Sequence, residues 1–239
     1  VSAQPIQLIS EVTGTIKEGA LPFRPGLSFD EGDTLVVIDD RQARYRLNST
    51  KADLLTALAQ VLPEIKIDFP DQYQAWQDYF DAVRFDRTLP DMPESDNEQI
   101  RLFLARFGVF KLYFSVKEQE ITLSKHYFEA PFEGAILSTA LSPGATARSG
   151  SVLGQIVNLE RLEVDIPIPM IDIAWVDESR PVRLTSSEMS REWKGTVARV
   201  GSAINAETQT AHIYVDIPDQ EAALLEGVFL RADLPGRIV

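Results

Sequence analysis

The sequence predicts an elongated, mainly β protein interrupted by one α-helical hairpin, and three observations predict it. A Gly-punctuated β pattern occurs twice, a Gly-poor stretch of helical spacing separates the two copies, and the last third of the chain alternates with a period of two. The 239 residues are 44% hydrophobic and 25% charged, enough apolar material for one to two compact units.

The repeat reads Pro25-Gly26, Gly32, Leu35, Ile38 and returns as Pro143-Gly144, Gly150, Leu153, Ile156, every pair offset by 118 positions (143 − 25). Upstream, Gly14-Thr15-Ile16 answers Gly134-Ala135-Ile136. Each Gly suits a tight turn, and the Leu and Ile point inward from a short strand. Two similar β half-modules therefore flank an insertion.

Between the halves, residues from about 50 to 126 lose nearly all Gly and take helical spacing. Thr50 with Asp53, and Ser95 with Glu98, stand three apart before apolar periodic stretches, the pattern of two helix N-caps. Ile100, Phe103, Phe107, Phe110, Phe114 and, past Lys117, Ile121 step by three and four, the seam of one descending helix. Its partner comes from Leu54, Leu55, Leu58, Val61 and Leu62, or from Trp76, Tyr79, Phe80 and Val83. Pro63 and Pro70 are expected to break the ascending arm, and Pro90 and Pro93 place the turn between Thr88 and Glu94. Gly108 costs the descending helix about 1 kcal/mol relative to Ala, which predicts a bend there.

After Asn158 the period becomes two. Leu162, Val164, Ile166 and Ile168 alternate with polar or Pro residues, as do Ala211, Ile213, Val215, Ile217 and then Val228, Leu230, Ala232, Leu234. Short half-buried strands of this kind predict a small antiparallel barrel, with Pro167 and Pro169 marking an edge strand. The opening stretch Ile6 to Val12 is expected to add one more strand to it.

Composition narrows the function. With 23 Lys and Arg against 36 Asp and Glu the net charge is −13, which argues against nucleic acid as a partner. No Cys excludes thiolate catalysis, thiolate metal sites and disulfides. The only two His, His126 and His212, are far apart in sequence and read as structural or solvated. Asp91, Glu94, Asp96 and Glu98 lack the spacing of a calcium loop and read as a solvated turn. No nucleophile elbow, Walker loop or dinucleotide fingerprint occurs, so no catalytic residue, cofactor site or metal site is expected. Arg84, Phe85 and Arg87 beside the proposed turn are the candidate partner contacts.

The order of half-module, helical hairpin, half-module and barrel resembles the periplasmic adaptor (membrane fusion) subunits of tripartite efflux pumps, of the HlyD-like, resistance-nodulation-division type. Ala130-Pro131-Phe132-Glu133-Gly134 is similar to the segment that opens the second half of that family's lipoyl-like domain, and Leu162-Glu163-Val164 to its entry into the barrel. Gly195-Thr196-Val197 through Val200 and Ala203 to Thr208-Gln209-Thr210 resembles the barrel signature, and Leu225 to Phe229 the later L-x-P-G-M-F segment, with Glu226 in place of Pro. Members that dock a channel tip to tip carry an Arg with Leu four positions on, a pattern absent after Arg84 and Arg87.

The resemblance implies a split lipoyl-like module at 13–48 and 127–158, a hairpin at 49–126 and a β-barrel at 1–12 and 159–239. It implies a non-enzymatic periplasmic adaptor between an inner-membrane transporter and an outer-membrane channel, self-associating into a ring and requiring no bound small molecule. An anchor and a membrane-proximal domain are expected to lie outside these 239 residues. An adaptor of an ABC-type exporter or type I secretion system shares the pattern. A lipoyl or biotinyl carrier needs a modified Lys, usually beside Met, at a tight hairpin; the insertion replaces that hairpin, and Met92, Met170 and Met189 adjoin no Lys. A ligand-binding β protein that merely shares the modules is the remaining reading.

Overall fold

The computed structural model describes residues 5–19, 21–94, 97–158, 163–186, 191–205, 208–217 and 229–236. The first half-module contributes β1 (Ile6–Ile9), β2 (Gly14–Glu18), β3 (Ser28–Phe29) and β4 (Thr34–Ile38). After α1 (Arg41–Asp68), α2 (Pro70–Ala82), α3 (Glu98–Arg106) and α4 (Val109–Ser124), the second contributes β5 (Tyr127–Glu129), β6 (Gly134–Thr139), β7 (Thr146–Ala147) and β8 (Val152–Asn158). The remainder holds β9 (Glu163–Pro169), the single turn α5 (Met170–Ile173), β10 (Val182–Ser186), β11 (Arg191–Asn205), β12 (Thr210–Asp216) and β13 (Arg231–Asp233).

The halves exchange strands. One sheet runs β1-β8-β6-β3 and the other β5-β4-β2-β7, so each position in one sheet is answered by its repeat partner in the other. The hydrogen bonds repeat as well: Gly26 N–H donates to Ile136 O at 2.8 Å, and Gly144 N–H to Ile16 O at 2.9 Å. Gly32 N–H donates to Ala130 O at 2.8 Å, and Gly150 N–H to Ser10 O at 2.7 Å. All four glycines have φ between 84° and 89°, a conformation that costs a residue with a Cβ, which is why the repeat keeps Gly there. Leu35, Ile38, Leu153 and Ile156 are buried in one shared cluster.

This pseudo-two-fold corrects the assignment of residues 1–12. β1 pairs with β8, Ile6 opposite Ile156, and is the counterpart of β5, which pairs with β4. A half-module without a first strand would leave β8 an open edge, so the opening segment completes the split module rather than the barrel.

The described strands after residue 162 form a five-stranded antiparallel sheet, β13-β10-β11-β12-β9. Val164, Ile168, Ala211, Ile213 and Val215 point inward as the alternation requires, and Pro167 and Pro169 lie in β9, an edge strand, where a missing N–H costs no ladder bond. Val228 and most of the 225–229 segment lie outside the described residues, as does Leu162. The sheet's core also takes in Val157, Ala135 and Leu137, the opposite faces of β8 and β6 from those that bury Ile156 and Ile136.

The insertion departs most from its sequence reading. α1 begins at Arg41, with Asp40 at its N-cap position, so Thr50 lies inside the helix and its hydroxyl donates to Arg46 O at 3.2 Å. Ser95 lies outside the described residues; Asn97 caps α3 by accepting from Gln99 N–H at 2.9 Å. Pro63 sits within α1 without ending it, because both Pro63 and Ala59, whose carbonyl loses its partner, face solvent. The break comes at Phe69, before Pro70 at N1 of α2. Gly108, at φ 71°, ends α3 and starts α4, so the expected single descending helix is two. The seam shifts accordingly: Ile100, Leu104, Val109, Tyr113 and Val116 are buried, while Phe114 and Ile121 are 64% and 60% exposed.

Candidate functional site in the helical insertion

Both feet of the insertion are tied to the split module. Asp39 accepts from Arg41 at 2.6 Å and Lys17 at 3.0 Å, and the Arg41 and Lys17 hydrogen bonds hold its carboxyl well below the usual carboxylate range. Asp40 accepts from Arg44 and from the Tyr127 hydroxyl. Partial burial pushes its carboxyl up, but these two donors outweigh burial and hold it below the ordinary value. At the other foot Lys125 pairs with Glu11 at 2.7 Å.

From Asp40, α1 rises about 43 Å to Phe69 at 1.5 Å per residue. α4 packs beside it, with Gln119 Nε2 donating to Thr50 Oγ1 at 2.9 Å. The far end holds Phe69, Phe103 and Phe107, with ring centroids 6.5 Å apart for Phe69–Phe103 and 5.0 Å for Phe103–Phe107. The chain therefore turns twice at this end, between α1 and α2 and again at Gly108.

Residues 83–94 join these two helix pairs as an extended strap lying along the insertion. Lys51 Nζ, with the side chain 1% exposed, donates to Arg87 O at 2.5 Å and pairs with Glu120 Oε1 at 2.9 Å. The same Glu120 oxygen accepts from Leu89 N–H at 2.7 Å, and Lys117 Nζ donates to Leu89 O at 2.8 Å. Arg84, Phe85 and Arg87 are exposed on this strap, but at the level of Lys51, about a third of the way up α1 and far from the end at Phe69. The turn expected at Thr88–Glu94 is the strap's upper half, which the Lys117 and Glu120 side chains hold against α4. The Lys51–Glu120 pair escaped the sequence reading, although both residues fall in phase with apolar stripes: Leu47, Lys51, Leu54, Leu58 and Val109, Tyr113, Val116, Glu120. An ionic residue of each sign in core phase on two helices is the available signal for such a pair.

The remaining candidates stand apart. Asp91 accepts from Lys117 at 3.2 Å and from the Tyr113 hydroxyl at 3.3 Å, and Asp96 lies outside the described residues. His126 is buried, with Nδ1 3.0 Å from Thr122 O, at a polar cleft of ≈ 480 Å³ whose lining includes Glu11, Asp39 and Glu118. His212 belongs to the distant β12, where Nδ1 lies 2.6 Å from Asp165 Oδ1. Among the described residues no group of three or more His, Asp or Glu could hold a metal ion, and no helix is long and apolar enough to cross a membrane.

A strand-exchanged split module that carries a helical insertion and is followed by an antiparallel sheet is a fold found in solved membrane fusion proteins. The membrane fusion protein Spr0693 from Streptococcus pneumoniae superposes with a TM-score of 0.66 at 15% identity, covering 99% of this chain and 96% of that one. In sequence the chain is homologous to the cation efflux system protein CzcB of Alcaligenes sp., 24% identical over 229 residues, or 96% of this chain and 42% of CzcB. It also matches the nodulation protein NolF of Rhizobium meliloti, 30% identical over 120 residues, or 50% of this chain and 33% of NolF. The chain thus spans less than half the length of these curated relatives. No protein-family model matches it.

Proposed function

We propose that this chain is part of a periplasmic adaptor that joins an inner-membrane efflux transporter of the resistance-nodulation-division type to an outer-membrane channel. The observation that carries the reading is homology to a cation efflux system protein over 96% of the chain. The protein performs no chemistry of its own in this reading: it works by rigid connection, with the feet at Asp39, Asp40 and Lys125 fixing the insertion to the split module. In this reading the chain has three units, the split module, the helical insertion from Arg41 to His126 and the C-terminal sheet, a division that the three hydrophobic clusters support. The adaptor resides in the periplasm, anchored to the inner membrane through chain outside these residues, and acts as a ring. Arg84, Phe85 and Arg87 make any partner contact along the side of the insertion, not at its end.

The test is deletion of the gene together with affinity purification of the tagged full-length protein. Reduced export and a co-purifying transporter of that class are expected. Unchanged export with no transporter retained overturns the reading, and retention of an ABC-type exporter moves it to that class.

A further inference from the structure

The upper end of the strap and helices α2, α3 and α4 line a cavity of ≈ 350 Å³ that the adaptor reading does not use. Its apolar lining comes from Trp76 of α2, Leu104 of α3, Phe110 of α4 and Met92 with Pro93 of the strap. Glu94 and Arg101 complete it, and both are exposed, which puts their charges at the rim. The indole of Trp76 is 1% exposed, and the Tyr79 ring packs against it edge to face at 5.9 Å. Among the described residues its Nε1–H finds no acceptor. An indole N–H can only donate, and a buried donor left unpaired is costly.

The lining narrows what can meet that donor. An ordered water needs roughly two to four polar partners, and inside the rim the side chains offer the indole N–H alone among Met, Pro, Leu and Phe. A charged group brought inside would be stripped of water without a counter-ion, because the two charges at the rim are exposed and of opposite sign. An apolar body carrying one neutral acceptor fits both constraints: it covers the apolar walls and pairs with the indole. The size and the mainly apolar lining with one polar group are those of a small-molecule site. A second groove, of ≈ 460 Å³, shares Arg101 and Phe110 with the cavity and continues its apolar surface to the exposed Leu102.

We infer that this cavity is a binding site for an uncharged, largely apolar small molecule whose hydrogen-bond acceptor, of the ketone carbonyl kind, receives the Trp76 N–H. Such a ligand touches the strap and three helices at once, so its occupancy fixes the strap's upper end to the rest of the insertion. The inference goes beyond the adaptor reading and does not rest on it: the orphan donor and the lining stand whichever transporter the protein serves.

The test is calorimetric titration of the full-length protein with three probes of one shape: benzophenone, diphenylmethane, which lacks the carbonyl, and 4-benzoylbenzoate, which adds a carboxylate. Benzophenone is expected to bind with a dissociation constant of about 100 µM or tighter, and diphenylmethane about fivefold more weakly. Trp76→Phe, which keeps a ring and removes the N–H, should erase that fivefold preference. Met92→Trp, a change on the half-buried strap that fills the cavity without touching the helices, should abolish binding of both. Irradiating the benzophenone complex should label peptides holding Met92, Leu104 or Phe110. No binding of benzophenone up to its solubility leaves the indole to solvent and overturns the inference. So does equal affinity for the ketone and the hydrocarbon, a preference that survives Trp76→Phe, or binding unchanged by Met92→Trp. Label confined to the exposed apolar turn at Met170, Ile171 and Trp175 overturns it too. Tighter binding of 4-benzoylbenzoate than of benzophenone moves the anchor to Arg101 and overturns the uncharged class.

Discussion

The split module and the helical insertion are held together by different physics. In the module, glycines at positive φ dictate the turns, and each turn hydrogen bond occurs twice. In the insertion, the strap at 83–94 is fixed by side chains reaching from distant helices, Lys51 from α1 and Lys117 and Glu120 from α4. The first kind of determinant is local and repeats in the sequence; the second exists only once the helices have packed.

The largest expected effect lies in the insertion. Glu120→Ala leaves the Lys51 ammonium buried without its counter-ion and should cost about 3 to 5 kcal/mol in chemical denaturation. A double change to Lys51→Met and Glu120→Leu should recover only part of that, because it removes the unpaired charge while Arg87 O and Leu89 N–H still lose their partners. If the double variant costs almost nothing, the strap is held by packing of Val83 and Leu89 and the contrast between the two regions weakens.

Next is close packing in the module. A Cβ at Gly134 would stand 2.2 Å from the Val157 carbonyl oxygen and 2.9 Å from the Phe29 ring, so Gly134→Ala should cost about 3 kcal/mol. Gly26 and Gly144 have open space around them, and Ala at either should cost only the strain of positive φ, about 1 to 2 kcal/mol. The pseudo-two-fold predicts that these two losses agree within about 0.5 kcal/mol. Unequal denaturation midpoints would show that the halves are not energetically equivalent.

The smallest effect joins the two regions. Tyr127→Phe removes a hydrogen bond to Asp40 and should cost about 1 kcal/mol at neutral pH. Asp40 has a folded pKa below its unfolded one, so its contribution is complete above the unfolded value of about 3.9 and is lost as pH falls through the folded value. The variant's midpoint should therefore converge on that of the parent protein in acid, and a constant difference down to about pH 2 would contradict the linkage.

These contrasts also explain what was legible from the sequence. The repeat, its four turn glycines and the four buried Leu and Ile could be read because Gly at positive φ has few substitutes. β1 was misassigned because four residues of alternating character fit any sheet, and only the strand exchange gives them a partner. The Phe107, Phe110, Phe114 seam was misread because Gly108 resets the helical phase, turning part of an apparent core stripe outward. Arg84, Phe85 and Arg87 were put at the end of the insertion because prolines mark a turn without saying which way the chain then runs. The adaptor resemblance survived these errors because it rested on the order of the units, not on the path within the insertion.

The strand exchange also constrains how the chain reaches its native state. Ser28 of β3 faces Ala135 of β6, and closing a disordered loop of that span is entropically costly. Once α1 and α4 have zipped together and Tyr127 has met Asp40, about 20 residues remain between those strands, which lowers the closure cost by about 1.4 kcal/mol. If the insertion folds first, a remote β pairing becomes a nearly local one, with the closure cost met by the packing of α4 on α1. Pulse-labelled hydrogen exchange should find the amides of α1 and α4 protected before those of β6 and β8.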